Sequence, residues 1–387
     1  MTMSRVSRWI RTIALPPAFA AVALFATSQS TLPATVAAGS AQEPAKVSSL
    51  PSRLSDAEFW KLVSDISEPG GYFRITDNYT SNEREVGQLF TMLRESSVLG
   101  GVYLGVGPEQ NFSYIAAIRP AMAFVVDIRR QAVMQHLMFK AAFELAKDRA
   151  DFIALLFSKP RPADLDGTTP IQRIWEAYQM VATDPAAAVR NSTRIVEHLT
   201  RTHRFTFTSD ESAQLESVIE AFVQFGPAIS TRGASGGFGG GNTVTFADLT
   251  GWSLNADGQP QSFLSTEEHF RLVKSLHEKN LIVPVSGDFA GPRAIRAIGA
   301  YVRKQGGIVS AFYLSNVEQY LFQDGKQRAF YDNVATLPVN GGSVFIRPYS
   351  LRRGGGAAQS LCAIAGFIGA VGAGRISSNS DALACLR

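Results

Sequence analysis

The chain has 387 residues, 45% of them hydrophobic and 18% charged, with a formal net charge of +4 at neutral pH. That length and apolar fraction allow a large buried core and, by length alone, two domains. Three of the positive charges (Arg5, Arg8 and Arg11) lie in the first 41 residues, and no Lys/Arg run interleaves with aromatics, so a nucleic-acid partner is excluded.

Residues 1–41 contain no acid, and their three arginines precede an apolar stretch from Ile13 to Ala26. Small residues follow, with Ala38 and Ala41 as cleavage points. This reads as a secretory signal peptide, which makes a periplasmic or secreted protein the expectation, or a cytoplasmic one if the leader is not used. An organelle transit peptide is the other reading of an arginine-rich, acid-free leader. The apolar core is short for a membrane span and is interrupted by Pro16 and Pro17, so no span is expected after processing. Residues 42–53 read as a linker.

Ser55-Asp56-Ala57-Glu58 is a capping box opening a short helix that buries Phe59, Leu62, Val63 and Ile66, with Gly70-Gly71 ending it. A polar-aromatic loop runs from Tyr72 to Glu83. Thr80 and Glu83 offer a second capping box for a helix through Glu95, with Val86, Leu89, Phe90 and Leu93 on one face. The loop precedes the first strand and is expected to fold over its carboxyl end. Tyr79, Asn82 and Glu83 read either as caps or as ligand contacts.

The stretch from Gly101 to Phe112, followed by Met122 to Asp127, is an apolar run, a glycine-rich turn, a short helix and a second apolar run ending in an aspartate. That is the opening unit of a nucleotide-binding parallel sheet. Gly105 and Gly107 permit a tight turn and close ligand approach, since neither carries a Cβ. Asp127, twenty residues after Gly107, is placed to accept both hydroxyls of a ribose. The next positions are Pro108, Glu109 and Gln110 rather than a third glycine, which removes the seat for a pyrophosphate. A nucleoside ligand without phosphate, such as S-adenosylmethionine, fits better; a retained fold with an empty site is the alternative.

From Arg129 to Arg149 the spacing of apolar residues predicts one long helix, and an all-helical insertion covers about 150–230. The glycine-rich loop 233–241 reads as a mobile lid or a connector. Strands are expected at 243–247, 281–286 and 308–314, with short ones from Val334 to Leu337 and from Ser343 to Arg347, and a helix from Thr266 to Glu278. Strands alternating with helices imply a mostly parallel sheet in one α/β domain over 54–350, whose ligand sits beyond the carboxyl ends of the strands. Those ends carry Gly105 to Asn111, Asp127, Asp248, Gly287-Asp288-Phe289 and Ser315 to Glu318. In the tail, 351–387, Cys362 and Cys385 read as one disulfide or as two unrelated thiols. His136, His198, His203, His269 and His277 show no metal-ligand spacing and read as structural, so no metal is expected.

Leu104 to Phe112 with Val126-Asp127-Ile128-Arg129, and Tyr313 to Leu321, resemble an uncharacterised bacterial family over roughly residues 54–350. The fold of that family looks like the three-layer, Rossmann-like fold of the class I S-adenosylmethionine-dependent methyltransferases. The resemblance implies that Gly105 and Gly107 pass beneath the methionine part of the cofactor, with Glu109 and Asn111 in the same turn. It also implies that Asp127 holds the ribose, and that Asp288 with Phe289 lies beside the transferred methyl. Methyl transfer needs alignment and exclusion of water more than acid–base groups. Asp288 or Glu318, with Asn316 beside it, is positioned to take a proton from the acceptor, the alternative role for both carboxylates being helix capping. The acceptor expected is a small molecule or an envelope component. The competing function is an exported binding or structural protein that has lost catalysis. No histidine is placed to serve a nucleophile, so hydrolysis is not supported.

Overall fold

Six short apolar runs make one sheet. They are β1 (Val102–Gly105), β2 (Met122–Asp127), β3 (Ile282–Ser286), β4 (Val309–Tyr313), β5 (Val344–Ile346) and β6 (Leu361–Ala363). The strand order is β3-β2-β1-β4-β5-β6, with the first five parallel and β6 antiparallel to β5. The computed structural model describes residues 49–386 except 76–77, 84–85, 97, 232–243, 349, 351–352 and 355–356. The leader and the glycine-rich loop 233–241 lie outside the described residues.

Every residue of β1, β2 and β3 is buried, so the sheet needs cover on both faces. One set of helices comprises α2 (Val86–Glu95), α3 (Gln110–Ile118), α4 (Arg130–Leu145) and α10 (Glu267–Glu278), packed on one another. The other comprises α1 (Asp56–Ile66), α11 (Ala294–Lys304) and α13 (Gln327–Val334), with Tyr301 of α11 against Phe124 of β2. The long excursion between β2 and β3 is helical: α5 (Arg149–Phe157), α6 (Ile171–Gln179), α7 (Pro185–Glu197), a π turn (His198–Thr202), α8 (Ser209–Phe225) and α9 (Phe246–Gly251). It packs back through α8 on α4 and α5. Phe112 lies at the centre of this side, its ring 5.2 to 5.4 Å from those of Phe139, Phe143, Phe263 and His277. Among the described residues, no helix is long and apolar enough to cross a membrane.

Local chemistry sets the helix starts. Ser55 and Glu58 form the expected box on α1, which stops at Ile66, before the glycine pair. Four other expectations are corrected. Residues 244–247, the described part of the strand expected at 243–247, join no strand of the sheet: the Thr245 hydroxyl and the Asp248 carboxylate make a capping box that opens α9 at Phe246. Val334 closes α13, and the turn after it is not a strand. The helix expected over Arg129 to Arg149 breaks after Leu145, because the Asp148 carboxylate accepts the Asp151 N–H and starts α5. The box expected at Thr80 and Glu83 opens no helix there, since residues 81–83 are not helical: the Thr80 hydroxyl donates to the Ser81 carbonyl, and Glu83 accepts the Ser315 hydroxyl at 2.7 Å. At the other end of the chain the sheet continues past residue 350. Strand β6 pairs with β5, and Cys362 in β6 is disulfide-bonded to Cys385.

Candidate functional site

The order of β1 and β4 in the sheet reverses the direction of winding between them, and a crevice opens where connections leave in opposite senses. A cleft of about 450 Å³ lies there. Its floor is made by Val106-Gly107-Pro108 after β1, Asp127-Ile128-Arg129 at the end of β2, Gly287-Asp288-Phe289 after β3, and Tyr313 with Ser315-Asn316-Val317 after β4. The loop after α1 covers it through Tyr72, Phe73, Arg74, Asn78, Ser81 and Asn82. A wall from α12 (Val317–Gln323) and the turn beyond adds Tyr320, Gln323 and Lys326. Arg74 stacks on Tyr320, its guanidinium carbon 4.5 Å from the ring centre.

Of the residues expected at a site, Gly107, Asp127, Asp288, Phe289 and Asn316 line this one cleft; Gly105, Glu109, Asn111 and Glu318 do not. Gly107 has φ +75° and open space where a Cβ would stand. The space beside Gly105 is filled from within. A Cβ there would lie 1.9 Å from the Asn111 side-chain oxygen, which accepts the Tyr103 hydroxyl at 2.9 Å. The Asn111 amide nitrogen donates to the carbonyls of Val106, Gly107 and Pro108 at 3.0, 3.1 and 2.6 Å. Asn111 therefore braces the turn from beneath. His136 completes the brace through Nε2, which donates to the Gly107 carbonyl at 2.8 Å. Its burial lowers the imidazole pKa, so the ring is neutral there.

Asp127 is buried and already held. Arg129 Nε and Nη2 donate to its two oxygens at 3.1 and 3.0 Å, and the Arg129 backbone N–H adds a bond at 2.9 Å. Asp288 accepts the Ala290 N–H at 2.9 Å and faces Lys326 Nζ at 3.4 Å. Its turn is fixed by Glu68, whose carboxylate accepts the N–H groups of Asp288, Arg293 and Ala294. Phe289 packs on Phe330, ring centres 5.5 Å apart, and presents its remaining surface to the cleft.

Glu109 stands at the N-cap of α3, fully buried, accepting the Ser81 N–H at 3.1 and 3.3 Å. Loss of hydration outweighs that bond and pushes its carboxyl up to about 8. Glu318 is placed away from the cleft, where Arg347 donates to its two oxygens at 2.6 and 2.7 Å and the Tyr331 hydroxyl adds a bond at 2.7 Å. Of the three residues open to either role, Asn82 lines the cleft, Tyr79 is buried against Phe222, and Glu83 holds Ser315. Ser315 itself sits at φ +48°, a strained conformation for a residue with a Cβ, and it lies in the cleft. Arg74, Asn78, Tyr320 and Lys326 were not among the expected site residues; the polar-aromatic composition of 72–83 was the signal toward the first two, and Tyr320 lay in the family-like stretch Tyr313 to Leu321.

The elements and cleft define an α/β protein with a ligand-sized crevice at the carboxyl rim of a mostly parallel sheet. The chain belongs to the family described as "Domain of unknown function (DUF7790)", whose pattern matches residues 79–203 and 250–361. The matched segments carry β1 to β5 and the cleft floor. No curated protein matches the chain.

Proposed function

We propose that the cleft binds S-adenosylmethionine or a closely related nucleoside, on a Rossmann-like scaffold of the class I methyltransferase kind, and transfers its methyl group to a small molecule or envelope component. The observation that carries this reading is that Gly107 and Asp127 line one cleft of about 450 Å³, the size of a small-molecule site. The strand order and antiparallel last strand are compatible with that scaffold. The chain enters α3 through Pro108, which has no N–H, and Glu109 rather than through the glycine N–H groups that phosphate-binding folds present, so a ligand without phosphate is favoured. A carboxylate has about four acceptor positions, so a ribose hydroxyl can share Asp127 with Arg129. Asp288 is the cleft carboxylate suited to receive a proton from the methyl acceptor.

Two observations favour a second reading, an exported binding protein without catalysis. Asp127 is chelated by its own neighbour, and the Cys362–Cys385 bond suits an oxidising compartment such as the periplasm or the exterior, where S-adenosylmethionine has no obvious supply. Thermal unfolding with S-adenosylmethionine and with S-adenosylhomocysteine tests the first reading, because a ligand that binds the native state raises apparent stability. A rise with either compound, absent in Asp127→Asn, supports it. No rise at millimolar concentrations overturns it in favour of the second. N-terminal sequencing of the mature protein then tells whether the leader is removed.

A further inference from the structure

At the opposite end of α4 from the cleft, three side chains converge on one point. Glu144 Oε2 lies 2.8 Å from His198 Nε2 and 2.6 Å from His203 Nε2. Arg129, which precedes α4, lines the cleft, so fourteen residues of helix place Glu144 about 20 Å from it. We propose that Glu144, His198 and His203 form a binding site for a divalent transition-metal ion of the zinc class.

The backbone is shaped for this convergence. In an α-helix, residues five apart point about 140° away from each other. Here the chain from His198 to Thr202 forms a π turn, closed by the His203 N–H donating to the His198 carbonyl at 3.1 Å. The wider turn brings both imidazoles over Glu144, with ring centres 4.8 Å apart and planes at 86°. Single π turns inside helices are rare and recur at functional sites.

The surroundings of His203 complete the arrangement. Its Nδ1 lies 2.8 Å from Asp56 Oδ1, which leaves Nε2 as the nitrogen facing Glu144 Oε2. A carboxylate on Nδ1 with a metal ion on Nε2 is the carboxylate–histidine–metal relay that usually supports a ligating histidine; without the ion, a proton shared with Glu144 fills the same gap. The ring is held in place by stacking on Phe205 at 5.1 Å, and Asp56 by the Asn280 amide at 2.8 Å. Lys140 Nζ binds the other Glu144 oxygen at 2.6 Å, leaving Oε2 as the single donor of that carboxylate. Two imidazole nitrogens and one carboxylate oxygen make a borderline donor set that suits zinc and leaves a coordination position for water. In tetrahedral geometry at about 2.0–2.1 Å the donors would stand about 3.3 Å apart, so the Glu144 contacts, now 2.8 and 2.6 Å, would lengthen by about 0.5–0.7 Å to admit the ion. The site would tie α1, α4 and the helical excursion together at the amino rim of the sheet.

The test uses the full chain, purified without a histidine tag and stripped with a chelator. Cobalt(II) titration is expected to give ligand-field absorption that saturates at a single equivalent and is displaced by zinc(II), with zinc raising the unfolding temperature. Replacing both histidines, His198→Ala with His203→Ala, should abolish the absorption, and Asp56→Asn should weaken the ion 10- to 100-fold. If these variants fail to fold, histidine ¹⁵N spectra of the wild type decide. Zinc-dependent shifts of the His198 and His203 Nε2 signals support the site. A His203 ring that keeps protons on both nitrogens in the presence of zinc overturns it, because a proton then occupies the gap. Absence of cobalt absorption in the wild type, or unchanged absorption in a folded double variant, overturns it as well.

Discussion

Two buried arginine–carboxylate pairs in this protein have the same chemistry and different surroundings. Asp127 with Arg129, two residues apart, lines the cleft at the carboxyl rim. Glu318 with Arg347 lies in the core, where the guanidinium stacks on Phe345 and Phe367 at 4.6 and 4.5 Å. In the core, where water does not reach, each charge depends chiefly on its partner, with the Tyr331 hydroxyl adding one bond to Glu318. At the cleft, solvent or a ligand can take over part of that work. An ion pair beside a cavity is thus exchangeable with ligand, whereas one within a core is a fixed element of the fold.

The largest effect expected on this contrast is at Glu318. Glu318→Ala strands the fully buried Arg347 and should cost about 3–5 kcal/mol by urea unfolding, enough to jeopardise folding. A cost under 1 kcal/mol would mean that the core pair is no more fixed than the cleft pair. Next comes the disulfide that backs the core pair: Cys362 in β6 sits opposite Phe345 in β5, two residues before Arg347 in the chain. Replacing both cysteines by serine releases a loop spanning 23 positions and should cost about 3 kcal/mol, measured as the shift in urea midpoint under non-reducing conditions.

A third carboxyl sharpens the comparison from another side. Glu109 is buried with a backbone N–H rather than a guanidinium on its oxygens, and loss of hydration raises its pKa to about 8. The folded state therefore holds this proton up to about pH 8 while the unfolded chain releases it near pH 4.5. Over that window the group makes stability fall as pH rises, by about 2 kcal/mol between pH 6 and 8. Below pH 4.5 the group is neutral in both states and contributes no slope. Glu109→Gln should flatten the slope between pH 6 and 8 in denaturation curves; an unchanged slope would show that Glu109 is ionised when folded. The smallest effect on stability belongs to the cleft pair. Asp127→Asn should cost only about 1 kcal/mol, because water in the cleft can solvate Arg129, while removing stabilisation by S-adenosylhomocysteine. A loss as large as that at Glu318 would erase the distinction between the two pairs.

The sequence was most readable where the signal is local and repeated. The unit from Val102 to Asp127 joins two apolar runs through a turn that needs Gly107 at positive φ, and both the strands and the cleft follow from it. The capping box at Ser55 was legible for the same reason. Thr243 to Phe246 misled because alternation over four residues also suits a strand, whereas the Thr245–Asp248 box decides for a helix. Strand β6 has three residues, too few to show a period, and its partner is fixed by the fold. Glu318 and Arg347 lie 29 positions apart and meet only through packing, so Glu318 could not be told from a cleft carboxylate. Arg129 was in plain view beside Asp127, but its side chain turning back on the aspartate is a property of the folded rim. His198 and His203 were hidden by helical periodicity itself, which a π turn violates.

The amide that fills the space beside Gly105 changes what that glycine means. A missing Cβ at a nucleotide-type turn is ordinarily taken as room left for a guest. Here the room is spoken for by a resident, so alanine at 105 would evict Asn111 and loosen the turn whether or not any ligand exists. Inactivity of such a variant, or intolerance of it in a mutational scan, would therefore be a statement about architecture; only positions such as Gly107, whose vicinity stands open, can testify about an occupant.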